Sequence, residues 1–303
     1  MRIAVLGGTV FVGRAVVEVL VAAGHDVTVV HRGEHEPDPA SGYPDVEHVH
    51  ADRSALPPLR CDAVVDCYAM TGDDVRTVLA ALPDVPLVML SSCDVYPTLF
   101  ALLRSDVTCD VPIDEDTPLR TFHYPYRGRI AGMDDYDKLD CEPQYLARGG
   151  VVLRLPPVIG PFDPQRREDF VLARVRAGLE QMEIGSGNLA YSRLLAHDIG
   201  TAVDAVLRSD VAGEVFVLAD HPSGTVRQVA EEIIAAAGST MALVTVTDES
   251  TLPDDLLFTK THRQHLLFSP AKAMRMLDWR PTPWRDAVRQ SVEWHLQHPP
   301  PEG

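Results

Sequence analysis

The sequence predicts an α/β protein: a Rossmann-type doubly wound parallel sheet with a small α/β C-terminal substrate lobe. Three observations predict it. Short β-branched runs alternate with helical patterns through the first half, as parallel strands joined by crossover helices do. A glycine-rich turn, Gly7 to Gly13, separates the first strand from the first helix. The 303 residues, 46% hydrophobic and 23% charged, supply a core large enough for one α/β unit with a further lobe.

The elements follow in order. Ile3–Leu6 reads as a buried strand and Phe11–Ala23 as a helix with Val12, Ala15, Val16, Val19 and Leu20 on one face, stopped by Gly24. Val27–Val30, Val46–Val49, Ala63–Cys67 and Leu87–Leu90 read as the next strands, with a helix over Asp73–Leu82 before the last. From Pro97 to Met133 regularity lapses, and so long a stretch is expected to be a lid-like segment, with a short helix near Leu99–Leu103. A helix over Asp134–Arg148 and a strand over Val151–Leu155 follow, separated by Gly149-Gly150. The C-terminal half predicts helices over Glu168–Glu180, Ile199–Arg208, Val226–Ala237 and Trp284–Gln297, and strands over Glu214–Leu218 and Met241–Val246. Asp198 reads as the cap of its helix, and the tail after His298 as a disordered end.

Composition narrows the partners. Lys plus Arg number 27 against 44 Asp plus Glu, a formal charge of −17. Such a surface repels phosphate backbones and anionic lipids, so neither nucleic acid nor membrane is expected; a small-molecule substrate is. Gly7-Gly8 breaks the N-terminal apolar run, which therefore does not read as a signal peptide, and no window approaches the roughly 20 apolar residues of a membrane span. The five cysteines include no C-x-x-C pair, which reads as reduced thiols in a cytoplasmic chain with no metal site. The oligomeric state stays open.

The turn Gly7-Gly8-Thr9-Val10-Phe11-Val12-Gly13 opens a βαβ unit, the context in which a dinucleotide pyrophosphate sits on a helix N-terminus. Val10 stands where the fingerprint has its middle glycine. At the end of the second strand, where an NAD site has an acid, the chain reads Val30-His31-Arg32-Gly33. Arg32 can pair with a 2′-phosphate and His31 can add a donor, which points to NADPH/NADP+. Residues 1–160 are then an NADP-binding core with its lid-like segment at about 97–133, and residues 161–303 mainly a substrate lobe with some segments returning to the core.

This turn, Asp52-Arg53 after the third strand, Ser91-Ser92-Cys93-Asp94-Val95-Tyr96 after the fifth, and Arg154 to Pro161 come in an order that resembles the extended or atypical short-chain dehydrogenase/reductases, the group of NAD-dependent epimerases and dehydratases. The resemblance spans essentially the whole chain. It implies that Asp52, with Arg53 beside it, approaches the adenine, that backbone near Val158 approaches the nicotinamide, and that Ser91 and Ser92 line the reactive carbonyl. It also implies a Tyr-x-x-x-Lys pair, and here the chain departs. Registering Lys138 with Glu142 puts Asp134 at the tyrosine position. On a helix starting at Asp134, Tyr136 lies about 200° from Lys138, so Tyr136→Phe is expected to leave turnover nearly intact.

The candidate catalytic residues are accordingly Ser92, Lys138, Asp134 and Tyr126 of the lid-like segment. Asp134 and Lys138, four residues apart, can equally be a simple helix ion pair. With no tyrosine in register, a substrate phenol beside the reacting ketone is one source of the proton. The expected function is an NADPH-dependent ketoreductase acting on a bulky, aromatic polyketide-type ketone. A sugar-nucleotide epimerase or dehydratase and a non-catalytic NADP-binding sensor are the competing readings.

Overall fold

The computed structural model describes residues 1–102 and 106–300. Its first half runs β1 (Arg2–Leu6), α1 (Phe11–Ala22), β2 (Asp26–His31), β3 (Glu47–His50), β4 (Ala63–Asp66), α2 (Gly72–Ala81), β5 (Leu87–Ser92), α3 (Thr98–Leu102), α4 (Lys138–Leu146) and β6 (Val151–Leu155). Then come β7 (Val158–Ile159), α5 (Asp169–Arg176), β8 (Gln181–Ile184), β9 (Leu194–Leu195), α6 (Ala196–Leu207) and β10 (Val215–Val217). The chain closes with α7 (Val226–Ala236), β11 (Ala242–Thr245), α8 (Ala271–Met276) and α9 (Trp284–Gln297).

Seven strands form one parallel sheet in the order β10-β6-β5-β4-β1-β2-β3. Period-2 alternation sorts each strand's side chains to two buried faces. Ile3 and Val5 join Val16, Leu20, Ile199 and Val203 of α1 and α6 on one face. Ala4 and Leu6 join Val75 and Val78 of α2 and Tyr145 of α4 on the other. Each such side chain contributes about 1.5–3 kcal/mol by leaving water. The strand order reverses between β1 and β4, and a crevice opens beyond their carboxyl ends. A second core, with Leu172, Met182, Ile184, Ile233 and Val292, builds a lobe from α5, β8, α7 and α9, to which β11 adds a strand paired with β8. β10 returns to the main sheet and Ile199, Ala202 and Val203 of α6 to its core.

Most boundaries fall within a few residues of those expected, with two instructive departures. The helix expected from Asp134 begins at Lys138, because Asp137 caps it: its carboxylate accepts from the Leu139 N–H at 2.9 Å. Asp198, expected as a cap, lies in the first turn of α6 instead, where its carboxylate accepts from the Thr282 N–H at 2.8 Å and hydroxyl at 2.7 Å.

The segment 97–133 is tied down. Arg120 donates to the Asp94 carbonyl at 2.9 Å and pairs with Asp137 at 2.5 Å, both side chains fully buried. Ile113 bridges to Phe268, and Gln264 accepts from the Thr108 N–H at 2.9 Å. The short helix is present as α3; Leu103, the expected end of it, lies outside the described residues, as do residues 301–303 of the expected disordered tail. Among the described residues no helix is long and apolar enough to cross a membrane.

Candidate functional site

The turn after β1 has the geometry a pyrophosphate needs. Gly7 holds φ at 82°, and a Cβ on Gly13 would stand 2.0 Å from the Gly7 carbonyl oxygen, so only glycine lets α1 pack this close. Val10 is the N-cap of α1, in extended conformation and with no side-chain cap. Its φ of −126° explains why a valine is accommodated where a glycine is usual; the positive φ passes to Phe11, at 40°. The first turn of α1, at Phe11, Val12 and Gly13, therefore offers N–H groups without intrahelical acceptors. Thr9, Val10 and Phe11 open onto a cleft of 700 Å³ that Phe162, Trp294 and His298 also line. These residues fit a bound dinucleotide.

The expected contacts to the adenosine end need revision. His31 cannot serve as a free donor: its Nδ1 accepts from the Gly33 N–H at 3.2 Å and its Nε2 meets His48 Nδ1 at 2.8 Å, in a ring that is buried. Arg32 is exposed and paired with Glu34 at 2.8 Å, a surface position from which it can still swing. Asp52 caps a single 3₁₀ turn and accepts from the Ser54 N–H and hydroxyl at 2.8 and 2.6 Å. Arg53, expected at the adenine, has its guanidinium engaged by the buried Asp66 in two bonds of 2.9 and 2.7 Å. Burial alone would lift the Asp66 carboxyl, but Arg53 and the Tyr145 hydroxyl hold it below its ordinary value. In the backbone near Val158, expected to approach the nicotinamide, the Val158 carbonyl accepts from Arg167 at 2.8 Å.

At the carboxyl end of β5 the structure assembles a cluster that the residue spacing did not reveal. Asp94, just past Ser92, turns its buried carboxylate inward; Oδ2 accepts from the Tyr136 hydroxyl at 2.9 Å and the Tyr126 hydroxyl at 3.1 Å. Its Oδ1 is buried with no partner among the described residues. Burial pushes the Asp94 carboxyl above the usual carboxylate range, and burial together with Asp94 pushes the Tyr136 phenol well up. Lys138, only 6% exposed, donates to the carbonyls of Ala69 at 2.6 Å and Leu90 at 3.2 Å, with its ammonium 5.6 Å from the Tyr136 ring centroid. Burial lowers its pKa. The Ser92 hydroxyl accepts from the Asp94 N–H at 3.1 Å, and Ser92 offsets part of the rise at the Tyr136 phenol.

Ser92, Lys138 and Tyr126 thus converge, joined by Asp94 and Tyr136. Asp134 does not join them. It lies before the helix in an exposed turn, accepting from the Gly128 N–H at 2.8 Å, so the expected pairing with Lys138 does not form. Tyr136 also precedes the helix, and a 200° separation computed along a helix does not apply to it. Behind the cluster Glu142 accepts from Ser91 at 2.5 Å and from Arg154 at 2.8 Å, a buried frame for the end of β5.

A doubly wound sheet with a glycine turn into an uncapped helix, and an acid–phenol–lysine cluster at the switch point, define a Rossmann protein of the nicotinamide-dependent class. A model of the NAD dependent epimerase/dehydratase family matches residues 3–219, and the chain belongs to that family. It is 25% identical over 307 residues to the chloroplast stem-loop binding protein of 41 kDa b of Arabidopsis thaliana, covering 92% of this chain and 75% of that protein. It shares its fold with dTDP-glucose 4,6-dehydratase from Bacillus anthracis str. Ames in complex with NAD, at TM-score 0.71, 17% identity and coverage of 99% and 97%. The same holds for UDP-glucose 4-epimerase with UDP-glucose from Thermotoga maritima, at TM-score 0.70, 16% identity and coverage of 98% and 99%.

Proposed function

We propose that the protein is a nicotinamide-dependent epimerase or dehydratase acting on a nucleotide-linked sugar, with Tyr136 and Asp94 as its proton-handling pair. The observation that carries this is the 2.9 Å bond between the Tyr136 hydroxyl and Asp94 Oδ2 beside Lys138 and Ser92. It supplies the phenol that the tyrosine spacing lacked, and with it goes the reason for asking the substrate to bring its own proton. The family match and the sugar-nucleotide enzymes among the structural neighbours support the same reading.

Bound dinucleotide supplies the hydride acceptor. The residues of this chain handle the proton. The Ser92 hydroxyl positions the reacting sugar oxygen. Tyr136 takes that oxygen's proton as it passes its own to Asp94, whose carboxyl burial lifts above the usual carboxylate range. Lys138 places a positive charge near the phenol while the proton moves.

A second reading, NADPH-dependent reduction of a bulky aromatic ketone, draws on two observations. Arg32 directly follows β2, where an NAD site has an acid, and Phe100, Phe122 and Tyr124 line a cavity of 340 Å³ in the segment expected as a lid. The stem-loop binding in the Arabidopsis relative's name is not extended to this chain, whose charge of −17 repels a phosphate backbone.

The deciding experiment offers the protein NAD+ or NADP+ with a panel of UDP- and dTDP-hexoses, and NADPH with aromatic ketones. Conversion of a sugar nucleotide supports the proposal. Turnover of ketones alone hands the site to the second reading.

A further inference from the structure

β3 is the edge strand of the sheet, and its pairing with β2 sets three imidazoles on one face. His31 and His50 are direct cross-strand partners, and His48, two residues before His50, points the same way. The rings touch edge to face, His31 to His48 at 5.0 Å and His31 to His50 at 4.8 Å between centroids. Glu36, from the loop after β2, closes the group: its Oε1 is 2.8 Å from His50 Nε2 and its Oε2 3.9 Å from His31 Nε2. The ligand atoms of His31, Glu36 and His50 all lie within 4.8 Å of one another.

We infer that His31, Glu36 and His50 form a binding site for a divalent transition-metal ion of the zinc class, with the His48 ring beside them. Two imidazoles and a carboxylate suit such an ion far better than Mg²⁺ or Ca²⁺, which take oxygen ligands. The spacing of the three donors needs only small rotations to reach bonding distances of about 2.0–2.2 Å. Metal at His31 Nε2 replaces its 2.8 Å bond to His48 Nδ1, and the ring proton moves to Nδ1, displacing the 3.2 Å bond from Gly33 N–H. Glu36 and His50 are half exposed, which leaves the ion an entry path. The site is separate from the Tyr136 cluster at the carboxyl end of β5, and its Glu36 also lines the cleft onto which Thr9, Val10 and Phe11 open.

The test titrates tag-free protein with Zn²⁺ by calorimetry and follows its thermal midpoint, alongside His50→Ala, Glu36→Gln and, as a control away from the site, His221→Ala. The expected result is one Zn²⁺ per chain in wild type and in the control. Binding weakens by about tenfold or more in both site variants, and the midpoint rises with Zn²⁺ only where binding is intact. Because His50 and Glu36 are exposed, both variants should fold. Equal Zn²⁺ affinity in wild type, His50→Ala and Glu36→Gln overturns the site, as does a wild type that takes up no Zn²⁺ or prefers Mg²⁺.

Discussion

The Tyr136 hydroxyl lies 2.9 Å from Asp94 Oδ2, linking the turn before α4 to the residue two beyond the end of β5. This link depends on where α4 starts. Asp137 caps the helix and is itself held by Arg120, so Tyr136 is swung off the helical path into the buried space over Ser92 and Lys138. One capping residue thereby converts a tyrosine two residues from the lysine into a neighbour of the site.

Arg53 separates a structural arginine from a ligand. Its bidentate grip on buried Asp66 predicts that Arg53→Ala leaves a charge uncompensated and lowers stability by about 3–5 kcal/mol in nucleotide-free protein. Arg32→Ala, on an exposed ion pair, should change it by no more than about 0.5 kcal/mol. Chemical denaturation of both variants without nucleotide checks this. Similar stabilities would mean that Arg53 is free for a ligand after all.

Arg32 itself tests the cofactor. If it meets a 2′-phosphate, Arg32→Ala weakens NADPH by about tenfold while leaving NADH unchanged, and Glu34→Gln, which frees the guanidinium, tightens NADPH. Calorimetric titration with each nucleotide reads the difference. Equal weakening of both removes Arg32 from the site.

Glu168 gives a pH signature in the lobe. Burial pushes its carboxyl up to about 7, beside Ser291 and His295 on α9. A folded pKa above the unfolded value stabilises at low pH, and that contribution is lost as pH rises through about 7. Glu168→Gln should therefore be more stable than wild type at pH about 8, by on the order of 3 kcal/mol, and nearly equal to it at pH about 4. Thermal unfolding at both values checks the sign; a variant equally destabilised at both contradicts it.

How much of this was legible in the sequence follows from how local each signal is. The strands of the main sheet and helices α1, α2, α7 and α9 could be read because both sheet faces and the helix faces carry long apolar patterns. β7 and β9, two residues each, are made by pairing with one another and carry no period to read. The glycine turn is a local motif and could be read. The catalytic cluster is not local: Asp94, Tyr126 and Tyr136 meet only because Arg120 and Asp137 join the segment 97–133 to the start of α4. The one signal available was Asp137 as a helix cap, and reading it would have moved the helix start past Asp134 and Tyr136. The histidines at 31, 48 and 50 were likewise visible as residues, but their shared face depends on the register of β2 against β3.

The most direct measurement compares wild type, Tyr136→Phe and Asp134→Asn in the conversion of a sugar nucleotide with bound nicotinamide dinucleotide, together with nucleotide affinity for each. The account predicts that Tyr136→Phe binds nucleotide as wild type does but loses about 10²–10⁴-fold in kcat, while Asp134→Asn turns over normally. Full activity in Tyr136→Phe, or a comparable loss in Asp134→Asn, would contradict it.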